Sequence, residues 1–278
     1  MGVLLQRNRC AYSLALGDAL EKQAQAFDIG LSYVPVDWSA DDTNDDGVEI
    51  ENALAKLEQQ QGLVLMSAVF PHGLKRLAKF AQRWWPRPSI SMGYRLPSIP
   101  SVLVDNRGAM KAATRHLIVE HGRREILFLR GRRDSQESTD RYLGYREALR
   151  EHGIIHSEDR VLQGTFTRAS AVTALAHLPA DIRFDGFIAA NDEMALAALP
   201  ELDRRGFTVP GKISLVGFDD VPAAARAKVP LTTMAQPFAR LAEVALGLVM
   251  DQHQGRSVRG GKVVPATLVV RRSCGCGG

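Results

Sequence analysis

The sequence predicts an α/β protein built on two mainly parallel β-sheets. Apolar segments and amphipathic helical segments alternate roughly ten times along the chain, and such alternation produces parallel sheets with right-handed crossovers. The apolar segment Phe187 to Ala190 has no polar alternation, which is typical of a strand buried on both faces of a parallel sheet. Since a single sheet of about ten strands would be large, we expect two sheets of about five or six strands each.

The first third of the chain reads as alternating strands and helices. Leu16 and Leu20 recur with helical spacing, as do Ile50 and Leu57 in the next helical segment. The missing N–H of Pro71 suits the first turn of a third helix. The predicted elements are strands at Gly2 to Gln6, Gly30 to Val36, Gly62 to Met66 and Ile90 to Gly93, and helices at Tyr12 to Phe27, Glu49 to Gln60 and Pro71 to Trp85.

The middle of the chain continues this pattern. We interpret Asn106 as the N-cap of a helix that Gly122 ends, and Gly153 as the end of a later helix. The polar stretch from Arg132 to Asp140 is predicted to be a loop, which places Arg141 in the first turn of that later helix. The predicted elements are strands at Ser101 to Asp105, Ile126 to Leu129 and Val161 to Leu162, and helices at Asn106 to Ile118, Tyr142 to Glu151 and Ala169 to His177.

Two polar clusters follow neighbouring strands of the predicted sheet. Asn191 and Asp192 end the apolar segment described above, and either residue can cap the helix that follows. Asp219 and Asp220 come just after the next strand, Ile213 to Gly217. Because ligands bind at the carboxyl ends of strands in open α/β sheets, we interpret Asn191 and Asp219 as ligand contacts. The remaining elements are a helix from Glu193 that Gly206 ends, a strand at Leu231 to Ala235, a helix from Pro237 to Met250 and an extended segment from Val263 to Arg271.

Composition and motifs exclude several classes of protein. The net charge of +4 neither indicates nor excludes nucleic-acid binding. No segment approaches the roughly 18 apolar residues of a membrane span, and the first residues do not form a signal peptide. We therefore expect a cytoplasmic protein with no membrane contact, if Met1 is the natural start. The common nucleotide-binding, hydrolase and zinc-protease motifs are missing, and the histidines, of which His116 and His121 share one helix, form no catalytic constellation. We expect no enzymatic activity and no cofactor.

Neither the cysteines nor the acidic clusters identify a metal site in the sequence. Cys10, Cys274 and Cys276 are too few for a disulfide framework and indicate a reducing compartment. The last two would bind a metal only with ligands from elsewhere in the chain. The acidic stretch from Ser39 to Asp46 lacks the carboxylate spacing of a calcium loop. No metal ligand is assigned.

Five motifs occur in a fixed order along the chain. They are VLVDNRGAMKAATRHLIVEHGRREILFLRG at 102–131, DRYLGYREAL at 140–149, GFIAANDEMALAAL at 186–199, VPGKISLVGFDD at 209–220 and PLTTMAQP at 230–237. Each motif is weak alone, but together they resemble the effector-binding core of the lactose and galactose repressor (LacI/GalR) family of transcriptional regulators. The resemblance covers essentially the whole chain.

The resemblance implies a periplasmic-binding-protein-like type I fold. In this fold, two Rossmann-like subdomains with parallel sheets are joined by three crossing segments, and the ligand binds in the cleft between them. The N-subdomain is expected at about residues 1–104 plus 238–262, and the C-subdomain at about residues 105–237 plus 263–278.

The resemblance also implies which residues line the ligand site. They are Arg7, Asn8, Tyr12, Met66 and Tyr94 from the N-subdomain, and Arg141, Phe166, Asn191, Asp219 and Gln236 from the C-subdomain or its crossing segment. Such a set suits a sugar, which needs several convergent hydrogen bonds and an apolar ring face. Structural alternatives stay open for several of these residues. Asn191 could cap its helix, Asp219 could cap a turn, Arg141 could pair with Asp140 or Glu137, and the rings at positions 12 and 166 could be core.

The family also implies a regulatory function. Its members carry a helix-turn-helix headpiece of the class that docks a helix in the major groove, and that headpiece is not recognisable in this chain. We expect an effector-binding domain that binds a small polar metabolite, a sugar or a sugar derivative, forms a homodimer, and couples cleft closure to DNA binding by a headpiece outside this chain. The alternatives are a sensory input domain of a larger signalling protein and a solute-binding protein.

Overall fold

The computed structural model describes residues 1–6, 10–36, 48–66, 78, 79, 82, 84, 86–179 and 181–276. The predicted ligand residues Arg7 and Asn8, the acidic stretch 39–46 and most of the helix predicted at 71–85 lie outside these residues. The chain forms two compact units. Unit 1 comprises Met1–Val104 and Pro237–Val264, and unit 2 comprises Asp105–Gln236 and Pro265–Gly278.

Unit 1 contains a parallel sheet that has six strands within the described residues. These are β1 (Gly2–Gln6), β2 (Ser32–Val36), β3 (Leu63–Met66), β4 (Ser89–Met92), β5 (Ser101–Val104) and β11 (Gly261–Val264), in the order β11-β5-β4-β3-β1-β2. Every residue of β3 and β4 is buried, as expected for a parallel sheet covered on both faces.

Helices cover the sheet of unit 1. Those whose bounds fall within the described residues are α1 (Ala11–Ala26), α2 (Val48–Leu57) and α8 (Phe238–His253). Helix α8 packs against α1, and its Gln252 side chain ties it to β4 by accepting a hydrogen bond from the Ser89 N–H and donating one to the Ser89 carbonyl, at 3.1 and 2.9 Å. The apolar core around Leu57 and Leu65 holds the layers together.

Unit 2 contains the second sheet, which also has six strands within the described residues. These are β6 (Ile126–Arg130), β7 (Val161–Gln163), β8 (Gly186–Ala189), β9 (Ser214–Asp219), β10 (Thr232–Ala235) and β12 (Thr267–Val269), in the order β12-β10-β9-β8-β6-β7. All its pairings are parallel except that of β12, which lies antiparallel to β10 at the edge. The predicted α/β class with mainly parallel sheets is therefore confirmed.

The helices of unit 2 connect these strands. They are α3 (Asn106–His121), α4 (Gln136–Glu151), α5 (Arg168–Ala176), α6 (Asp192–Arg204) and α7 (Pro222–Arg226), with short 3-10 helices at Glu158–Arg160 and Arg272–Cys274. Helix α3 ends at Gly122, as predicted, because a glycine readily takes the left-handed conformation (φ 63°) found there.

Two predictions about helix starts were wrong. Asp105, not Asn106, caps α3 by accepting a hydrogen bond from the Gly108 N–H at 2.9 Å, and Asn106 is a buried residue of the helix itself. The stretch predicted as a polar loop contains the first turn of α4, which Ser135 caps. Polar residues suggested an exposed loop, but Ser138 in this stretch is fully buried within the helix.

The end of the chain also differs from its prediction. The single extended segment expected at 263–271 is two short strands, β11 and β12, that belong to different sheets. Strand β9 continues through Asp219, which pairs with Ala235 of β10, so Asp219 is the last residue of a strand and not part of the loop after it. Helix α7 was not predicted, because its five residues are too short to show a periodicity.

Candidate ligand-binding site

The candidate site lies at the carboxyl edge of the sheet in unit 2. Asn191 follows β8, Asp219 ends β9 and Gln236 follows β10, and these three strands are neighbours. Arg141 reaches the same edge from the second turn of α4, and Phe166 lies in the loop after β7. The structure thus brings together the five ligand residues predicted in this half of the chain, as expected where parallel strands end side by side. Their contact with a ligand remains a prediction.

Arg141 is held rigidly by the protein. Its side chain is 3% exposed, its Nε donates to Asn106 Oδ1 at 2.7 Å, and its Nη1 donates to the Ala190 carbonyl at 2.5 Å. Nη1 also lies 3.7 Å from Asp219 Oδ1. The guanidinium carbon sits 3.7 Å from the centre of the Phe218 ring, a cation–π distance. The guanidinium is therefore a fixed group of donors at the strand edge.

Asp219 is the acceptor that faces this cation. Its Oδ1 accepts a hydrogen bond from Gln236 Nε2 at 2.6 Å. Burial raises the pKa of the Asp219 carboxyl to about 6, while Arg141 and the bond from Gln236 oppose that rise and Glu193 adds to it. The backbone of Asp219 has a φ of 116°, an uncommon conformation for a residue with a side chain. Such strain is concentrated at ligand sites, where surrounding structure enforces it.

Asn191 serves as a helix cap, one of the alternatives left open by the sequence. Its Oδ1 accepts a hydrogen bond from the Met194 N–H at 3.1 Å at the start of α6. Its Nδ2 donates to the Phe166 carbonyl at 3.0 Å. Asn191 therefore also positions the loop that carries Phe166.

Phe166 is partly exposed beside the buried polar groups. Its φ is 68°, and its ring lies 5.7 Å from the Arg141 guanidinium carbon. The ring packs so closely on Gly131 that a Cβ there would come within 2.1 Å of a ring carbon. A larger residue at position 131 would displace the ring, which is the flat apolar face that the site offers.

Two further carboxyl groups near the site were not predicted as functional. Burial raises the pKa of Glu137 to about 7; Arg141 lowers it, and Asp219 raises it. Glu137 was missed because its segment was interpreted as a loop, although a serine cap at Ser135 followed by an acidic residue in the first turn indicates the start of a helix.

Asp192 is a structural carboxyl group beneath this edge. It is fully buried, its Oδ2 accepts a hydrogen bond from the Val221 N–H at 3.0 Å, and its Oδ1 accepts one from Thr233 Oγ1 at 2.6 Å. Burial, followed by the nearby Asp219, raises the pKa of Asp192 well above its ordinary value. It links the residues after β8 and β9 to β10, and so holds Asp219 in place.

Three predicted ligand residues of unit 1 fall within the described residues, and they occupy the carboxyl edge of their own sheet. Met66 ends β3, Tyr94 follows β4, and Tyr12 lies in the first turn of α1, after β1. Tyr94 is 7% exposed and packs within the apolar core of unit 1. The Tyr12 ring meets Phe238 edge-on at 5.6 Å between ring centres.

A separate cluster in unit 2 has the chemistry of metal ligands. One donor atom from each of His116, His121, Cys274 and Cys276 lies within 4.8 Å of the others. The sequence indicated that the cysteines needed partners from elsewhere, and it did not indicate that these two histidines supply them. The two pairs are separated by about 150 residues, beyond the reach of local sequence patterns.

Comparison with known proteins finds matches over most of the chain. A family model described as a periplasmic binding protein-like domain matches residues 114–274. The HTH-type transcriptional regulator AscG of Escherichia coli (strain K12) is 37% identical over 150 residues, which are 51% of this chain and 44% of that protein. The HTH-type transcriptional regulator CelR of Thermobifida fusca is 35% identical over 186 residues, 66% of this chain and 54% of that protein. The chain thus spans about half the length of the relatives it matches.

Solved structures show the same fold. The transcriptional repressor ascG of Escherichia coli superimposes with a TM-score of 0.80 at 24% identity, covering 98% of this chain and 97% of that chain. A structure described as a CelR–cellobiose complex gives a TM-score of 0.84 at 26% identity, covering 98% and 83%. These relatives are transcriptional regulators and not enzymes, in agreement with the prediction from motifs. Among the described residues, no helix is long and apolar enough to span a membrane.

Proposed function

Because this chain belongs to the family of periplasmic binding protein-like domains, as the effector-binding core of a LacI-family regulator, we propose that it binds a small polar metabolite such as a sugar. The bound ligand shifts the population between two states of the regulator. DNA binding then responds through a headpiece that these 278 residues do not contain. The regulator acts in the cytoplasm as a homodimer.

The observation that carries the proposal is the buried polar cluster of Arg141, Asp219 and Gln236. Gln236 donates to Asp219, but its Oε1 is buried and has no hydrogen-bond partner among the described residues. A buried polar atom without a protein partner is usually satisfied by water or a ligand. The cluster therefore supports binding of a molecule that carries a hydrogen-bond donor, such as a hydroxyl group.

The chemistry of the edge suits a sugar more than a purely apolar ligand. The carboxylate of Asp219 forms strong, charge-assisted hydrogen bonds, and the partly exposed Phe166 ring provides an apolar surface for the face of a pyranose. The relative CelR, whose structure is described as a complex with cellobiose, supports the same class of ligand. In unit 1, Arg7, Asn8, Tyr12, Met66 and Tyr94 are proposed as further contacts.

The proposal predicts that Asp219→Asn weakens ligand binding. The amide keeps the size of the side chain but loses its negative charge, and a hydrogen bond to a charged group contributes about 1.5–3 kcal/mol, which is roughly 10- to 100-fold in affinity. Isothermal titration calorimetry of the purified chain, first with a panel of monosaccharides, disaccharides and sugar phosphates, measures this loss. Asp134→Asn is the matched control, because Asp134 is exposed and its carboxylate pairs with Arg132 and not with Arg141.

Phe166→Ala provides a second test at the same site. It should weaken binding of the sugar that the wild type selects without abolishing the contribution of Asp219. If the wild type binds a sugar and both variants bind it as tightly, the ligand site lies elsewhere. If no member of the panel binds, the proposed ligand class is wrong.

A further inference from the structure

The cluster of two histidines and two cysteines in unit 2 combines chain segments far apart in sequence. His116 and His121 lie on α3, with His121 as its last residue, while Cys274 ends the final 3-10 helix and Cys276 follows it. Cys276 Sγ lies 3.3 Å from His121 Nε2 and 3.8 Å from His116 Nε2. All four donor atoms fall within 4.8 Å of one another.

These distances approach the geometry of a tetrahedral metal site. An ion with bonds of about 2.3 Å to sulfur and about 2.0 Å to nitrogen holds its donors roughly 3.3–3.8 Å apart. The two sulfur–nitrogen distances above already lie in that range. The widest separation, 4.8 Å, requires a contraction of about 1 Å, which side-chain torsions can supply.

The backbone of the tail directs both thiols to the same point. Gly275 has a φ of 105°, a conformation that favours glycine, and it packs beside the His121 ring. This turn places the Cys276 N–H 3.5 Å from Cys274 Sγ. The N–H···S contact is typical of support for a thiolate ligand, because it stabilises negative charge on sulfur.

The tail is anchored before any metal binds. Ser273 Oγ donates to the Leu215 carbonyl at 2.6 Å and accepts from the Thr232 N–H at 2.8 Å. Ser214 Oγ donates to the Cys274 carbonyl at 2.5 Å. Both cysteines lie in a segment that these hydrogen bonds hold in place, and both histidines lie on one helix. Little conformational entropy is therefore lost when an ion binds.

We propose that His116, His121, Cys274 and Cys276 form a structural zinc site that fastens the C-terminal tail of unit 2 to α3. Two thiolates and two imidazoles complete a four-coordinate shell, the closed arrangement of structural rather than catalytic zinc. The histidine spacing of four intervening residues matches that of known structural sites, whereas the single residue between the cysteines is shorter than usual. Binding displaces the thiol protons. The proposal does not depend on the effector ligand.

Metal analysis and cobalt substitution test the site directly. The purified chain should retain one zinc ion per chain after dialysis. Replacement by Co²⁺ should give the visible absorption of a tetrahedral cobalt ion together with thiolate-to-cobalt charge transfer. Zinc at a hundredfold excess over its dissociation constant should raise the melting temperature by roughly 5–10 °C.

Variants identify the ligands. Cys276→Ser and His121→Asn should each lower zinc affinity by more than about 100-fold, a larger loss than outer residues cause, and should abolish the rise in melting temperature. Cys10→Ser and His177→Asn are matched controls, because both side chains are exposed and neither belongs to the cluster, and they should leave zinc affinity unchanged. These variants avoid Cys274, whose complete burial makes substitution a risk to folding.

Three outcomes would overturn the proposal. One is zinc binding by the wild type that is no tighter than binding by Cys276→Ser. A second is a cobalt complex without thiolate charge transfer. The third is a thiol assay that finds Cys274 and Cys276 joined in a disulfide in protein purified under reducing conditions.

Discussion

At the scale of single residues, unit 2 holds carboxyl groups where water cannot hydrate them well. The pKa of Glu137 rises to about 7 and that of Asp219 to about 6, with burial as the largest cause in each case. The cation Arg141 opposes both shifts without cancelling them. Ionisation of these buried groups near neutral pH lowers the free energy of unfolding. Carboxyl groups with pKa values shifted in this way are common at functional sites.

This arrangement predicts a stability that falls as pH rises. In the unfolded chain a glutamate loses its proton near pH 4.5, whereas folded Glu137 keeps it to about pH 7. The folded state binds more protons across this window, so stability is highest below it and is lost as pH rises through 7. Replacing Glu137 with Gln should make the free energy of unfolding depend less on pH. It should stabilise the protein at pH 8 by roughly 2 kcal/mol, allowing for partial exposure of the side chain.

Urea unfolding at a series of pH values between 4.5 and 8 measures this effect. Glu243→Gln is the control, because Glu243 is exposed on α8, where its carboxylate pairs with Arg240. Parallel profiles for the wild type and Glu137→Gln would show that the carboxyl group of Glu137 is not responsible.

At the scale of elements, α3 and α4 approach each other closely through Gly144. A Cβ at this position would lie 2.2 Å from the Arg107 carbonyl oxygen and 2.9 Å from the Lys111 nitrogen, both backbone atoms of α3. Ion pairs from Arg107 to Glu147 and from Lys111 to Glu151 flank this contact. Since exposed pairs of this kind contribute less than about 1 kcal/mol, the close backbone packing determines the spacing of the helices.

Gly144→Ala should therefore destabilise the protein, although alanine favours a helix more than glycine does. Overpacking costs about 1–3 kcal/mol and exceeds the gain of up to about 1 kcal/mol in helix propensity. Gly247→Ala in helix α8 isolates the effect of helix propensity, because a Cβ at this position meets no described residue within 4 Å, and this variant should be more stable than the wild type. Thermal unfolding of both variants gives the comparison; stabilisation by Gly144→Ala would mean that the helices separate at no cost.

At the scale of the whole molecule, the chain passes between the two units more than once. The divisions fall after Val104, Gln236 and Val264, so each unit is assembled from separate stretches of sequence. In the last passage, only Pro265 and Ala266 separate β11 from β12. The short final segment then completes unit 2, with the Ser273 side chain hydrogen-bonded to the backbone of β9 and β10.

Ser273→Ala should lower the local stability of unit 2 without changing that of unit 1. It removes the only side-chain hydroxyl bonded to the Leu215 carbonyl and the Thr232 N–H in the described residues, and each buried backbone group left unpaired costs about 1–3 kcal/mol. Hydrogen exchange should show faster exchange in β9 and β10 and unchanged exchange in β1 and β3. Ser157→Ala, which removes a cap at a short 3-10 helix, should cost no more than about 1 kcal/mol. Equal loss of protection in both units would contradict the prediction.

Local sequence patterns were sufficient to predict a strand or a helix wherever its own residues carried the signal. The apolar segments that became β6 and β8 were predicted because strands buried on both faces lack polar alternation. The sequence also placed Asn191 and Asp219 at the carboxyl ends of neighbouring strands, the edge at which ligands bind in α/β sheets. The start of α4 was missed because its polar residues are buried by partners, such as Arg141 with Asn106, that lie far away in sequence.

The sequence by itself determined the class of fold and the edge of the sheet where polar groups gather, because both depend on local periodicity and on the order of strands. Only the tertiary structure decided which polar side chains meet. The contact of Asn106 with Arg141, the pKa of Glu137 and the meeting of His116 and His121 with the C-terminal cysteines arise between segments that are distant in the chain. Burial and electrostatic interaction depend on distance in space, and no local pattern records that distance.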